Sequence, residues 1–362
     1  MVRTIGVLTG GGDCPGLNAV IRAVVKAASA DHQLRVVGIL DGYAGLVEGR
    51  ARPLTDADVS GILPRGGTIL GTSNRDDPFR YATPNPDGST AVTDRSDDAL
   101  RQIERLGIEG LVIIGGDGTL SIAQKLSVRG VPIVGVPKTI DNDLAATDVT
   151  FGFDSALAVA TDAVDRLHTT AESHHRVMVL EVMGRYAGWI ALRAGIAGGG
   201  DIILIPEIPY DAHNVCHAAR KRLERGKRFS IVVVAEGAAP VGGKMVVQRA
   251  VAGSPDPIRL GGVGQAIAQH VEPCAGLESR VTVLGHLQRG GSPTPFDRWL
   301  ATRFGVAAVE LLIEGRAGRM VCLKGQRIES VELSAAVSQL RRVAPTGDEV
   351  QVARAVGTSF GD

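Results

Sequence analysis

Asp141 and Asp143 stand two residues apart in the run Pro137-Lys138-Thr139-Ile140-Asp141-Asn142-Asp143, directly after the apolar stretch 133–136. In a tight loop, one carboxylate can face a reacting hydroxyl while the other bonds the loop backbone or a metal. Phosphoryl transfer to an alcohol needs such a carboxylate, because the hydroxyl proton becomes acidic as the new bond forms. An Asp with a reference pKa of about 3.9 is ionised at neutral pH and ready to accept that proton. The same pattern also serves as Asx turns that cap a loop.

A second run, Gly115-Gly116-Asp117-Gly118-Thr119, follows the apolar stretch 111–114. Glycines there let backbone N–H groups approach a phosphate closely. Asp117 between them can hold Mg²⁺ directly or through water. A short glycine motif alone also fits an ordinary strand-to-helix turn. Gly10-Gly11-Gly12-Asp13 is a further turn of this kind. Arg176, Arg185, Arg280 and Arg289 lie at or near strand ends, with His286 three residues before Arg289. Arginine's planar fork bonds two phosphate oxygens at once, so these residues suggest a phosphate-recognising pocket.

These residues need elements to hold them. Apolar runs rich in Val and Ile recur at 5–8, 36–40, 111–114, 133–136, 177–182, 202–205, 231–235 and 281–284. Most are continuous rather than alternating, as in parallel strands covered on both faces. Helical patterns lie between them, most clearly at 18–30, 97–106, 154–168, 212–225 and 295–314, with Asp154 as an N-cap. Alternating strand and helix predicts an α/β fold with mostly parallel sheets, which binds ligands beyond the carboxyl ends of its strands. The glycine and acid turns fall there, as do Met183-Gly184-Arg185, Glu236-Gly237 and the turn 285–291. A boundary between two tightly packed lobes is expected near residue 150. Segments 74–97 and 238–262 read as irregular.

Composition narrows the class. The 362 residues carry 39 basic and 39 acidic side chains, so no global field draws the chain to nucleic acid or membrane. Aromatics are only 4%, which disfavours base-stacking platforms. No GxGxxG with a following acid and no GxxxxGK[ST] occurs, so nicotinamide-binding and P-loop readings are poor. Cys14, Cys216, Cys274 and Cys322 match no zinc spacing and are expected to be reduced and structural. No signal-peptide pattern or membrane-length apolar run is evident, so a cytoplasmic enzyme is expected.

The segments LTGGGDCPGLNAVIR, GGDGT, PKTIDND, ESHHRVMVLEVMGRYAGW, AEGA and RVTVLGHLQRGGSPTPFDR together resemble the phosphofructokinase family of ATP- and pyrophosphate-dependent enzymes. The likeness runs from residue 4 to about 325. It implies two similar α/β lobes facing a cleft, and Mg²⁺-dependent in-line phosphoryl transfer to the 1-hydroxyl of fructose 6-phosphate, as in glycolysis. Residues 1–150 with about 290–340 would form the donor lobe, and 151–289 with the C-terminal segment the sugar-phosphate lobe. By the same resemblance, Gly12 and Gly116, Asp117, Gly118 and Thr119 would hold the donor, with Asp117 on Mg²⁺. Asp141 would be the base, with Thr139 and Asp143 beside the transferring group. Met183, Gly184, Arg185 and Glu236 would contact the sugar, and Arg185 would also stabilise the transferred charge. His286 and Arg289 would hold the 6-phosphate. Arg176 and Arg280 would reach in from a neighbouring subunit, so the enzyme would be a homodimer or homotetramer.

The chain departs from the family pattern at the donor site. Gly118 leaves room for a nucleotide where an Asp would favour pyrophosphate. Lys138 stands where typical ATP enzymes have Gly and pyrophosphate enzymes have Lys. The block at 118 excludes rather than merely attracts, so ATP is the expected donor and pyrophosphate the alternative. Arg75 neighbours Asn74, which occupies a position where many bacterial ATP enzymes have Arg, and by the resemblance would take its place as a donor contact. The clamp on a 6-phosphate does not fix sugar length, so another acceptor such as sedoheptulose 7-phosphate stays open. A sugar-phosphate-binding regulatory subunit is the non-enzyme alternative.

Overall fold

The structure is a computed structural model that describes residues 2–30, 32–84, 90–250 and 258–362. Its first part runs β1 (Thr4–Thr9), α1 (Leu17–Ala30), β2 (Arg35–Ile39), α2 (Gly42–Glu48) and β3 (Ala51–Leu54). It continues through β4 (Tyr81–Pro84), β5 (Thr90–Thr93), α3 (Ser96–Arg105), β6 (Gly110–Gly115), α4 (Asp117–Val128) and β7 (Ile133–Pro137). Next come α5 (Phe153–His174), β8 (Val177–Val182), α6 (Trp189–Ala197), β9 (Ile202–Leu204), α7 (Ala212–Glu224) and β10 (Ser230–Ala235). The remainder is β11 (Val247–Ala250), β12 (Ile258–Leu260), α8 (Val263–Ala275), β13 (Ser279–Val283), α9 (Pro295–Ile313), β14 (Arg319–Lys324), β15 (Arg327–Glu332), α10 (Leu333–Ala336) and α11 (Asp348–Ala355).

Two sheets carry the fold. A seven-stranded sheet has the order β15-β14-β7-β6-β1-β2-β3, antiparallel only at its two edges. A four-stranded sheet, β13-β8-β10-β9, is wholly parallel. The apolar runs become strands for a physical reason: β1, β6, β8 and β10 are buried at every position, so nothing selects alternation. Apolar side chains of α1, α5, α6 and α9 fill the layer between the sheets. Helices α2, α3 and α4 cover the far face of the larger sheet, and α7 and α8 that of the smaller. The expected α/β fold with mostly parallel sheets is present.

Strand register lines up the turns. Thr9 pairs with Ile114 and Gly115 with Pro137, so the turns after β1, β6 and β7 sit side by side. In the smaller sheet, Val182 pairs with Ala235 and Glu181 with Val283, which aligns the turns after β8, β10 and β13.

Three local expectations are corrected. Gly152, in a left-handed conformation, caps α5; Asp154 lies inside the first turn and accepts from Thr294 Oγ1 at 2.6 Å. The segments read as irregular contain the hairpins β4–β5 and β11–β12, whose short polar strands lack an apolar pattern; residues 85–89 and 251–257 of those segments lie outside the described residues. The cysteines are not all reduced, because Cys216 and Cys274 form a disulfide between α7 and α8. Both helices cross over to the same face of a parallel sheet, and this brings their Cα atoms to 6.2 Å, within bonding range. Cys14 and Cys322 are free and buried, and burial pushes the Cys14 thiol up to about 12. Among the described residues no helix is long and apolar enough to cross a membrane.

Helices α1 and α9 approach each other closely at Gly305. A Cβ on Gly305 would stand 2.7 Å from Ala23 Cβ and 2.8 Å from the Val20 carbonyl oxygen. Backbone cannot swing aside as a side chain can. We expect Gly305→Ala to lower unfolding free energy by about 1–3 kcal/mol, read as a lower urea midpoint at unchanged slope.

Candidate active site

The turn after β1 is built from absent side chains. A Cβ on Gly10 would meet Thr119 Cγ2 at 2.6 Å, and one on Gly115 would meet it at 2.3 Å. Thr119 thus wedges between the β1 and β6 turns, and its own carbonyl accepts from Tyr43 Oη at 2.7 Å. Gly11 is left-handed, at φ 78°, and donates its N–H to Ser73 O at 2.9 Å. A Cβ on Gly12 would strike Arg289 Nη1 at 2.8 Å. Arg289 therefore crosses from the turn after β13 to the turn after β1, where it also donates to Asp13 O at 3.1 Å. Lys138 is buried and donates to Gly12 O. Burial is the main cause that pulls its pKa down, with the Arg289 charge adding to it.

Helix α4 begins at Asp117 with Gly116 as its N-cap and no side chain capping it. Its first-turn N–H groups are donors for an anion. A Cβ on Gly118 would find nothing within 4 Å. The open space belongs to a cavity of about 470 Å³, lined by Gly12, Arg75, Gly118, Lys125, Lys138 and Arg289 among others. That is within the usual range for small-ligand sites. Asn74, Tyr43, Ser121, Ile122 and Lys125 also line it. The last four escape the sequence reading because α2 and α4 do; Leu120, Ala123 and Leu126, buried at helical spacing, were the available signal.

The acid turn is held from below. Asn142 is left-handed, at φ 53°, and its Oδ1 accepts from Thr150 N at 3.1 Å. Thr150 Oγ1 donates to Thr139 O at 2.7 Å, and Asp141 N donates to Thr139 Oγ1 at 3.1 Å. Asn142 points away so that Asp141 and Asp143 can point together. Burial, then the Asp143 charge, raises the Asp141 pKa to about 7. Burial also raises Asp143, against the Thr139 hydroxyl, which lowers it. Asp117 is raised by burial and then by Asp143, so all three carboxylates face a common region.

The opposite wall comes from the smaller sheet. Gly184, at φ 139°, precedes Arg185, and Gly237 N donates to Gly184 O at 3.1 Å. A Cβ on Gly237 would fall 1.9 Å from Arg185 O, so the two turns interlock only through glycine. Arg185 Nη2 donates to Ile258 O at 2.5 Å and its guanidinium lies 5.4 Å from the Tyr186 ring centroid. Glu236 is raised by burial and then by Glu181, with Arg185 and Arg289 opposing. Met183 is partly buried against the central core, whereas His286 is exposed on the Gly285–Arg289 turn.

Arg176 and Arg280 do not join this wall. Arg176 immediately precedes β8 and Arg280 is near the start of β13, so both sit at the amino ends of their strands. Both pair with Glu278 there. One pocket formed by four arginines is therefore corrected to two separate pairs within a chain. Parallel strands put their two ends on opposite edges of the sheet.

The family model for phosphofructokinase matches residues 4–312. The chain belongs to the phosphofructokinase family. It is 54% identical over 362 residues to an ATP-dependent 6-phosphofructokinase of Chloroflexus aurantiacus, covering 99% of this chain and 98% of that one. It is also 52% identical over 342 residues to a pyrophosphate--fructose 6-phosphate 1-phosphotransferase of Streptomyces coelicolor, covering 94% and 96%. Among solved structures it resembles the Pichia pastoris phosphofructokinase in the T-state, with a TM-score of 0.78 and 32% identity, covering 98% of this chain and 36% of that one.

The acid group fits Mg²⁺ in this phosphofructokinase. Its donors are oxygens, and Asp141 Oδ1 is buried without a hydrogen-bond partner among the described residues. Among those residues no cluster of three or more ligating side chains is arranged to hold a metal by itself. Mg²⁺ suits that arrangement, since it takes one or two carboxylates and fills its shell with phosphate oxygens and water.

A raised folded-state pKa means that the folded protein binds the Asp141 proton more tightly than the unfolded chain does. Ionisation then weakens the fold as pH rises from about 4 through about 7. We expect Asp141→Asn to melt above wild type at pH 8 in metal-free buffer, with the gain vanishing near pH 4. An equal shift at both pH values would remove the buried charge as its cause.

Proposed function

We propose that this phosphofructokinase transfers the γ-phosphoryl group of ATP to the 1-hydroxyl of fructose 6-phosphate, giving fructose 1,6-bisphosphate, with Asp141 as the base. The observation that carries the donor is the open space at Gly118, beside the uncapped start of α4. A nucleotide can extend there where an aspartate would fill the space and repel it. Pyrophosphate is the second reading, favoured by Lys138 itself and by the name of the Streptomyces coelicolor relative.

In this mechanism the N–H groups at Gly116–Thr119 and the turn at Gly12 bind the donor, with Arg75 and Lys138 flanking it. Met183, Gly184, Arg185 and Glu236 orient the sugar, and His286 and Arg289 hold its 6-phosphate. Mg²⁺, held through Asp117, would neutralise charge on the phosphate oxygens. Asp141 faces the 1-hydroxyl and takes its proton as the bond to phosphorus forms. Its raised pKa suits a base working near neutral pH. Thr139 and Asp143 fix its direction, and Arg185 stabilises charge on the transferring group.

We assign residues 1–150 with about 290–340 to the donor half and 151–289 with the C-terminal segment to the sugar half. Arg176 and Arg280, on the far edge of their sheet, are assigned to the site of a neighbouring subunit, so the enzyme works as at least a homodimer. Its compartment is the cytoplasm.

We expect Asp141→Asn to lower kcat by about 10²–10⁴-fold while fructose 6-phosphate still binds by calorimetry. Unchanged turnover would remove Asp141 from the mechanism. Assays with ATP and pyrophosphate at equal Mg²⁺ decide the donor, and Gly118→Asp is expected to lose use of ATP. Mixing and reassembling Asp141→Asn with Arg280→Ala subunits should recover activity that neither variant has alone; no recovery would return Arg280 to a purely structural role.

A further inference from the structure

Residues 340–349 pass behind the cleft and touch both of its walls. Leu340 bridges to Leu144, and Arg341 N donates to Asp143 O at 2.7 Å. The Arg341 side chain adds a bond from Nη1 to Asp148 O at 2.7 Å. On its other side, Arg341 O accepts from Trp189 Nε1 at 3.0 Å, and the guanidinium stacks 4.5 Å from the Trp189 ring centroid. Trp189 is the first residue of α6, four positions after Arg185. Arg193 lies 5.5 Å from the same ring and is fixed by Glu349 through bonds of 3.0 and 2.7 Å. Val343 N donates to Glu207 Oε1 at 2.8 Å, and Glu207 also accepts from Gly188 N at 3.0 Å.

The acid turn after β7 and the sugar-side turn after β8 belong to different sheets. The 340–349 segment bonds the backbone of the first and the helix start that follows the second. Phosphoryl transfer between walls of separate sheets depends on their spacing, and a misplacement of about 1 Å can lower the rate about 10²-fold. We infer that this segment is a tie that sets the distance between Asp141 and Arg185, with Trp189 and Arg341 as positioning residues for phosphoryl transfer. The inference rests on the phosphoryl-transfer reading of the cleft. Neither residue touches substrate. Arg341 holds the acid turn through its own N–H and is itself fixed by its side-chain bond to Asp148 O, and Trp189 acts through Nε1 on the Arg341 carbonyl.

Three variants of the full-length enzyme test this. Trp189→Phe keeps the stacked ring and removes only the Nε1 donor. Arg341→Ala removes the stack and the bond to Asp148 O, and Arg341→Lys keeps a cation over the ring. Folded fraction is read by circular dichroism, and kcat is expressed per folded molecule. We expect kcat to fall about tenfold in Trp189→Phe and about 10²-fold in Arg341→Ala, with both KM values within about twofold of wild type. Arg341→Lys should recover part of the loss. The tie is overturned if the wild type turns over and these variants keep kcat within about twofold, or if KM rises while kcat holds. A wild type without turnover on either donor overturns the phosphoryl-transfer reading and this inference with it.

Discussion

Everything in the cleft depends on side chains that are missing from the β1 turn. Gly10 makes room for the Thr119 methyl, and Gly12 makes room for the Arg289 guanidinium. Lys138 then closes on the Gly12 carbonyl from the third side. The turn is a backbone knot held by one methyl and two cations. Its cations arrive from different places: Lys138 from the end of β7, two strands away in the same sheet, and Arg289 from the turn after β13 in the other sheet. Arg289 is thus a direct polar link between the two walls, and a Cβ at position 12 would push its guanidinium out of the present position.

Low solvation organises the opposing charges. Asp117, Asp141, Asp143 and Glu236 are all raised first by burial; the Asp143 charge adds to it for Asp117 and Asp141, and the Glu181 charge for Glu236. Lys138 is lowered first by the same cause. The site therefore holds acids that resist ionisation and a cation that resists charge, before any ligand enters. A polyphosphate with its metal would bring charges of both signs into that region and would relieve both tensions at once. Asn142 contributes indirectly. Its left-handed backbone and its bond to Thr150 turn the residue between the two acids away from them.

Much of this was legible in the sequence. Continuous Val- and Ile-rich runs marked the buried strands because parallel strands covered on both faces need no alternation. The carboxyl-end turns followed from chain direction. The same reasoning could have separated Arg176 from Arg185, since one precedes β8 and the other follows it. Helix α4 is marked by Leu120, Ala123 and Leu126 at helical spacing, but its glycine-rich first turn reads as a loop. The two hairpins and the Cys216–Cys274 pair left little trace. Short exposed strands lack a pattern, and only the shared face of two crossover helices brings those sulfurs together. The 340–349 segment was least legible, because main-chain bonds carry much of its contact with the cleft and any residue could supply those.

The path of the chain has one more consequence. Strands β14 and β15 extend the sheet that begins at Thr4, and Ser359 then pairs with Ile202 in the other sheet. The larger sheet lacks these strands until residue 332 is made, and the smaller lacks its bridge to Ser359 until later still. A nascent chain that has already made both glycine turns and both acids still lacks its outermost strands, the Glu349 clamp and the Ser359 bridge. Synthesis itself thus separates the appearance of the catalytic residues from the completion of the frame that aligns them, and during that interval the exposed edge of β7 is open to the wrong neighbour.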